Sequence, residues 1–197
     1  MKATFRNLII AAVMALTWVW CTCAHAGGHW YTPDHAKMQY AGNMGLVSAG
    51  PGYSLFGGRL HLDLFYGYLP SFIGGVETHT VTTKIACFPV TRTLRETYTI
   101  SPLTLGFNIC IVIGENYFFR PPAHYPDDYY WATNLRIAPY LGTKVHKRLS
   151  SNGKIKGLDL YIEVGTVDIY LRDYVHSDYV GLMDIINFSF GLGIRFN

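Results

Sequence analysis

Residues 187–197 read NFSFGLGIRFN, with Phe188, Phe190, Leu192, Ile194 and Phe196 at every second position and Asn187, Ser189, Gly191, Gly193 and Arg195 between them. Successive side chains of a β-strand point to opposite faces. This stretch therefore predicts a strand with one wholly apolar face and one small or polar face.

The same period recurs along the chain. Leu60, Leu62, Leu64, Tyr66 and Tyr68 oppose Arg59, His61, Asp63, Phe65 and Gly67. Val81, Ile85 and Cys87 oppose Thr78, Thr80, Thr82 and Lys84, and Leu103, Leu105, Phe107, Ile109, Ile111 and Ile113 oppose Thr104, Gly106, Asn108 and Cys110. Leu135, Ile137, Leu141 and Val145 oppose Asn134, Arg136, Tyr140 and Lys144; Leu158, Leu160, Ile162 and Val164 oppose Asp159, Tyr161 and Glu163. After Gly165-Thr166 the parity flips, with Val167, Ile169 and Leu171 on the apolar side against Asp168, Tyr170 and Arg172. A β-bulge at that point has this effect.

Seven long strands are evident, and an eighth arises either if residues 38–56 fold as two short strands broken at Gly50-Pro51-Gly52, since Pro and Gly inside a strand pattern mark a bulge or turn, or from a further strand near the N-terminus. Gly57-Gly58 reads as a tight hairpin turn, and residues 89–96 and 150–153 read as further turns. Residues 70–75, 114–130 and 174–179 form the longer loops at the opposite end.

Residues 1–26 are predicted to lie outside the fold. Lys2 and Arg6 precede the apolar stretch 8–20, and Ala24-His25-Ala26 places small residues where signal peptidase requires them. Cutting after Ala24 fits as well. Cutting after Ala26 leaves 171 of the 197 residues, and the loss of Lys2 and Arg6 leaves 14 basic against 13 acidic residues. This balance, with no basic run to neutralise phosphates, argues against a nucleic-acid partner. The expected organisation is a signal peptide over 1–26, an irregular segment over 27–37 and one strand-built domain over 38–197.

No apolar run of about 18 residues follows residue 26, so no transmembrane helix is predicted. Yet half of the chain is hydrophobic, with 15 tyrosines and 11 phenylalanines. A membrane barrel combines these features: one lipid-facing side per strand and aromatics at the rims. The final strand, ending on an aromatic of its apolar face, resembles the closing strand of bacterial outer-membrane β-barrels, and the chain after residue 26 resembles the small members of that superfamily. The resemblance implies an all-β, antiparallel up-and-down transmembrane β-barrel of eight strands, located in the outer membrane with lipid as its partner. A soluble barrel or sandwich, with the apolar parity turned to a core, is the competing arrangement.

In an eight-stranded barrel the lumen is just wide enough for side chains. Arg59, Asp63, Lys84, Arg136, Asp159, Glu163, Asp168, Arg172 and Arg195 all share the polar parity and are expected to form interior ion pairs. Cys87 and Cys110 fall on opposite faces and far apart in register, so no disulfide joins them.

Two roles fit such a barrel. One is a non-enzymatic structural or surface-binding role. The other is a lipid A-modifying activity at the outer leaflet, because small barrels of this size include a palmitoyltransferase and a deacylase that use His and Ser near the outer rim. The rim candidates are Ser71, His79, His124, His176, Ser177 and Asp178. A serine nucleophile needs a base within hydrogen-bond reach, and contiguous His176-Ser177-Asp178 side chains fan apart. The aromatic, proline-rich segment 120–131 reads as an interfacial aromatic rim or a binding loop.

No organic cofactor is expected. If the chain is cut after Ala26, Gly27, Gly28 and His29 resemble the amino-terminal copper- and nickel-binding motif. The free amine, two amide nitrogens and an imidazole suit the square plane of Cu(II) or Ni(II). Mass spectrometry of the exported chain will identify the cut. A chain beginning at Gly27 is expected to bind one Cu(II), with a visible band that fades on acidification and is abolished by His29→Ala.

Overall fold

The computed structural model describes residues 32–114, 134–150, 153–177 and 179–196. The expected signal peptide, Gly27, Gly28, His29, His124, Asp178 and most of the 114–130 loop lie outside the described residues.

Eight antiparallel strands close into one up-and-down barrel: β1 (His35–Ala41), β2 (Val47–Leu55), β3 (Leu60–Leu69), β4 (Thr78–Leu94), β5 (Tyr98–Ile113), β6 (Leu135–Arg148), β7 (Gly157–Gly165) and β8 (Asn187–Arg195). Each strand pairs with its sequence neighbour, and β1 closes on β8 from His35↔Arg195 to Ala41↔Ser189. The pairing continues past β8, where Phe196 N–H donates to the Asp34 carbonyl at 2.8 Å. The strand predicted over 187–197 is thus the one that closes the barrel.

The faces follow the predicted parity. Leu103, Leu105, Phe107, Ile109, Ile111 and Ile113 point outward and are exposed, as do Leu158, Leu160 and Ile162 on β7 and Phe188, Phe190 and Leu192 on β8. Inside are His35, Lys37, Gln39, His61, Asp63, Lys84, Asp159, Glu163 and Ser189, all buried. The competing arrangement, with the apolar parity turned to a core, is not the one adopted. Cys87 is exposed, Cys110 is buried, and both are free. Among the described residues no helix is long and apolar enough to cross a membrane.

Several local expectations are corrected. The first hairpin turns at residues 42–46, not at Gly50-Pro51-Gly52, which lies within β2. A Cβ on Gly52 would overlap Asp63 Oδ1 and His35 Nε2, and one on Gly50 would overlap the Leu64 carbonyl. These glycines therefore make room for an interior contact and a close backbone approach, and the strand runs through them. β1 starts at His35, which brings His35, Ala36 and Lys37 into the barrel.

Residues 89–94 continue β4, leaving only Arg95, Glu96 and Thr97 to connect it to β5. Arg95 and Glu96 both take positive φ, 51° and 55°, as a tight hairpin turn demands. The register shifts lie between Cys87 and Arg92 and between Ser101 and Thr104, and β7 itself ends at Gly165 with no bulge there. Instead α2 (Asp168–His176) follows, so Asp168 and Arg172 are helical and lie outside the lumen-facing strands. The 70–75 loop holds α1 (Ser71–Gly74), and α3 (Leu182–Ile185) precedes β8.

Glycines on β5 and β8 have a cross-strand purpose. Tyr161 pairs with Gly191 and Tyr140 with Gly106, and a Cβ on either glycine would run into the tyrosine ring. Gly191→Val is therefore expected to force Tyr161 off its position and cost about 1–3 kcal/mol, as overpacked cores do. A lowered urea midpoint for Gly191→Val, partly recovered by adding Tyr161→Ala, checks this; an unchanged midpoint contradicts it.

Candidate functional site

The lumen is organised by three buried carboxylates, each from a strand position whose neighbours point outward. Asp63 on β3 accepts from His35 Nε2 at 2.5 Å and from Lys37 Nζ at 2.6 Å, both on β1. Glu163 on β7 accepts from Lys84 Nζ on β4 at 2.6 Å, and the same ammonium reaches Gln39 Oε1 at 2.7 Å. Asp159 on β7 bonds His146 Nδ1 on β6 at 2.6 Å and Arg195 Nε on β8 at 3.2 Å.

The three centres are linked. Lys37 Nζ lies 3.2 Å from His61 Nδ1, and Arg195 Nη2 lies 3.3 Å from His61 Nε2. Tyr161 OH donates to Gln39 Oε1 at 3.3 Å, and Ser189 Oγ donates to Glu163 Oε2 at 3.4 Å. Lys84 also sits over the rings of Tyr140 and Tyr161, at 4.8 and 4.9 Å from their centroids, where a desolvated cation gains from the ring quadrupole. A side-chain lattice of this density fills the middle of the lumen.

Of the nine charges placed on the polar parity, Asp63, Lys84, Asp159, Glu163 and Arg195 pair inside as expected. Arg136 is on the inner side of β6 near the loop end, with its Nη1 donating to the Leu135 carbonyl at 3.2 Å. Arg59 is exposed in the β2–β3 turn, preceded by a 3₁₀ turn (Phe56–Gly58). Sequence reasoning missed His35, Lys37, Gln39 and His146 as lattice members. The alternation of Lys37 and Gln39 with exposed Met38 and Tyr40 was the available signal.

The proposed rim residues are dispersed in their bonding. Ser71 opens α1, and its carbonyl accepts from Gly75 N at 2.8 Å. His79 faces outward on β4, with Nδ1 2.6 Å from the Tyr66 hydroxyl and Nε2 3.6 Å from Glu77 Oε1. His176 Nδ1 bonds the Arg172 carbonyl at 2.9 Å, and Ser177 Oγ accepts from Tyr179 N at 3.4 Å. No hydrogen bond joins Ser71 or Ser177 to His79 or His176.

A serine, a histidine and a carboxylate do line up at the other end of the barrel. Ser54 Oγ lies 3.4 Å from His35 Nδ1, and His35 Nε2 reaches Asp63. There His35 is wholly buried and Lys37 already occupies Asp63, so the chain of groups braces β1, β2 and β3 together. No group of three or more metal-ligating side chains occurs among the described residues.

No family model, curated protein or solved structure matches this chain.

The lattice makes a quantitative expectation. Removing one member of a buried pair strands the other charge, which costs about 3–5 kcal/mol, whereas replacing both with apolar groups of similar volume is often neutral. Glu163→Ala is expected to lose that amount in equilibrium unfolding. The double change Lys84→Met with Glu163→Leu is expected to recover most of it. A near-zero loss for Glu163→Ala would mean that water reaches the pair.

Proposed function

We propose that the chain is an exported outer-membrane β-barrel with a non-enzymatic role, serving as a structural wall and a surface for binding at its loop end. The observation that carries this reading is the inversion of the two faces: polar side chains fill the lumen while large apolar ones cover the outside. A soluble domain rarely exposes a contiguous apolar patch beyond a few hundred Å².

The dimensions agree with a bilayer. The outward residues of β5 from Leu103 to Ile113 lie ten residue steps apart. At about 3.3 Å per residue and a tilt near 40°, they make a band about 25 Å tall, the height of the apolar belt of membrane barrels. Aromatics cluster toward its edges. Tyr40 packs on Phe190 with centroids 5.2 Å apart, and Tyr66 and Tyr68 flank His79 at 5.9 and 5.2 Å. Phe56 and Tyr98 are exposed at the end that carries the termini. Such belts suit amphipathic rings at the headgroup level.

The lattice that fills the middle of the lumen speaks for a wall and against a conduit. The surface-binding part rests on the loop end, where Phe72 is 83% exposed, Val175 71% and Met183 76%. The start of β1 and the end of β8, paired at His35 and Arg195, lie on the side opposite to these loops, which is the periplasmic side in this reading. The lipid-modifying alternative has no converging Ser and His among the described rim residues to support it.

The purified protein is expected to require detergent and to migrate differently on gels before and after heating. Leu160→Arg, in the middle of the band, is expected to cost about 2–4 kcal/mol in a bilayer, measured by unfolding from lipid vesicles. A chain that stays monomeric and soluble without detergent would sink the membrane reading.

A further inference from the structure

The end of the barrel that carries the termini is not filled like its middle. A cavity of about 470 Å³ opens there between the β2–β3 turn and the strands β4, β5, β6 and β8. Five basic side chains line it: Arg59, Lys144, His146, Arg148 and Arg195. Three of them, Lys144, His146 and Arg148, occupy alternate positions of β6, so the strand period sets them in a row about 7 Å apart.

The charges in this cavity do not balance. Asp159 is the carboxylate that answers the basic set: it bonds His146 and Arg195, and its charge also reaches Lys144 without a bond. Among the described residues Arg59, Lys144 and Arg148 have no carboxylate partner. Lys144 is the telling one. It is 5% exposed, and its Nζ rests 3.5 Å from the centroid of Phe88, with no acceptor bonded to it among the described residues. Buried ammonium groups need hydrogen-bonded counter-charges, as Lys37 and Lys84 have deeper in the same lumen. Lys144 thus marks a position where no described residue supplies a bonded acceptor.

We infer that this cavity is a binding site for a phosphate monoester. Two permanent guanidinium charges, Arg59 and Arg148, with the Lys144 amine beside them, suit a dianion better than a single carboxylate. Guanidinium forks match phosphate oxygens in a bidentate manner, and Lys144 adds a point charge. The volume lies in the range of small-molecule sites and exceeds the needs of a bare phosphate. The ester comes either from a soluble metabolite or from a lipid headgroup, and both present the same terminal phosphate.

Titration calorimetry of the full chain in neutral detergent micelles tests this, with two probes: glycerol 3-phosphate in solution and phosphatidic acid mixed into the micelle. One site per chain is expected for at least one probe, with affinity falling as salt rises. Saturation by glycerol 3-phosphate alone identifies a soluble source; saturation by phosphatidic acid alone identifies a lipid source. Arg59→Gln and Arg148→Gln, both at exposed positions, are each expected to weaken binding about tenfold while leaving heat-modifiable migration unchanged. Lys144→Met is expected to weaken it further; if that variant fails to fold, the two arginine variants still decide. The inference is overturned if neither probe binds, if acetate binds as tightly as glycerol 3-phosphate, or if the Arg59→Gln, Arg148→Gln double variant binds like the parent.

Discussion

The middle of a closed eight-stranded barrel leaves no room for bulk water, so a charge that points inward there must find its counter-charge on another strand. That requirement governs the interior. Asp63 draws β1 to β3, Glu163 draws β4 to β7, and Asp159 ties β6, β7 and β8. The tyrosines and glycines then pack around these centres. Gly52 is small because the His35–Asp63 bond crosses it, and Gly191 is small because Tyr161 lies against it. The lattice thus acts across strands that are far apart in sequence, such as Lys84 and Glu163, and complements the backbone ladders between neighbours.

The lattice is not uniform along the barrel axis. Its middle is neutralised pair by pair, while toward the termini the basic residues outnumber their partners. The same β6 strand supplies both situations: Tyr140 is buried against the Lys84 ammonium, and Lys144, four residues on, faces an open cavity with Phe88 beneath it. The long β4–β5 hairpin walls this cavity with residues 88–91, 99 and 101. Its register shifts near Cys87–Arg92 and Ser101–Thr104 fit the bending that bulges impose on a strand. A filled centre and an open, cationic mouth are compatible in one barrel because only the centre is cut off from water.

The faces of the strands were legible in the sequence because period-two alternation is a local property. Leu103 to Ile113, Leu158 to Ile162 and Phe188 to Leu192 each display it over a few residues. Where neighbouring glycines or a change of parity interrupted it, local reading failed. Gly50-Pro51-Gly52 carries the letters of a turn, but its glycines answer contacts from Leu64, Asp63 and His35 on other strands. Gly165-Thr166 carries the parity change of a bulge, but the strand ends there and a helix follows. Residues 89–94 look like a polar turn, yet they pair with residues 98–103 as a ladder.

The rim and the lumen differ in the same way. Ser71, His79, His176 and Ser177 were recognisable as polar residues near loops, but sequence offers no distance between them, and their bonds go to local backbone or to Tyr66. His35, Lys37 and His146 gave little sign of their place in the lattice, because what each bonds depends on strand closure and register. By itself the sequence determined the strand period, the division into an apolar and a polar face, and the inward charges of β3, β4, β7 and β8, since each is written within one strand. Only the tertiary structure decided which charge meets which and where the first hairpin turns. It also decided that no carboxylate among the described residues bonds Lys144, because those outcomes depend on the register by which eight strands close on one another.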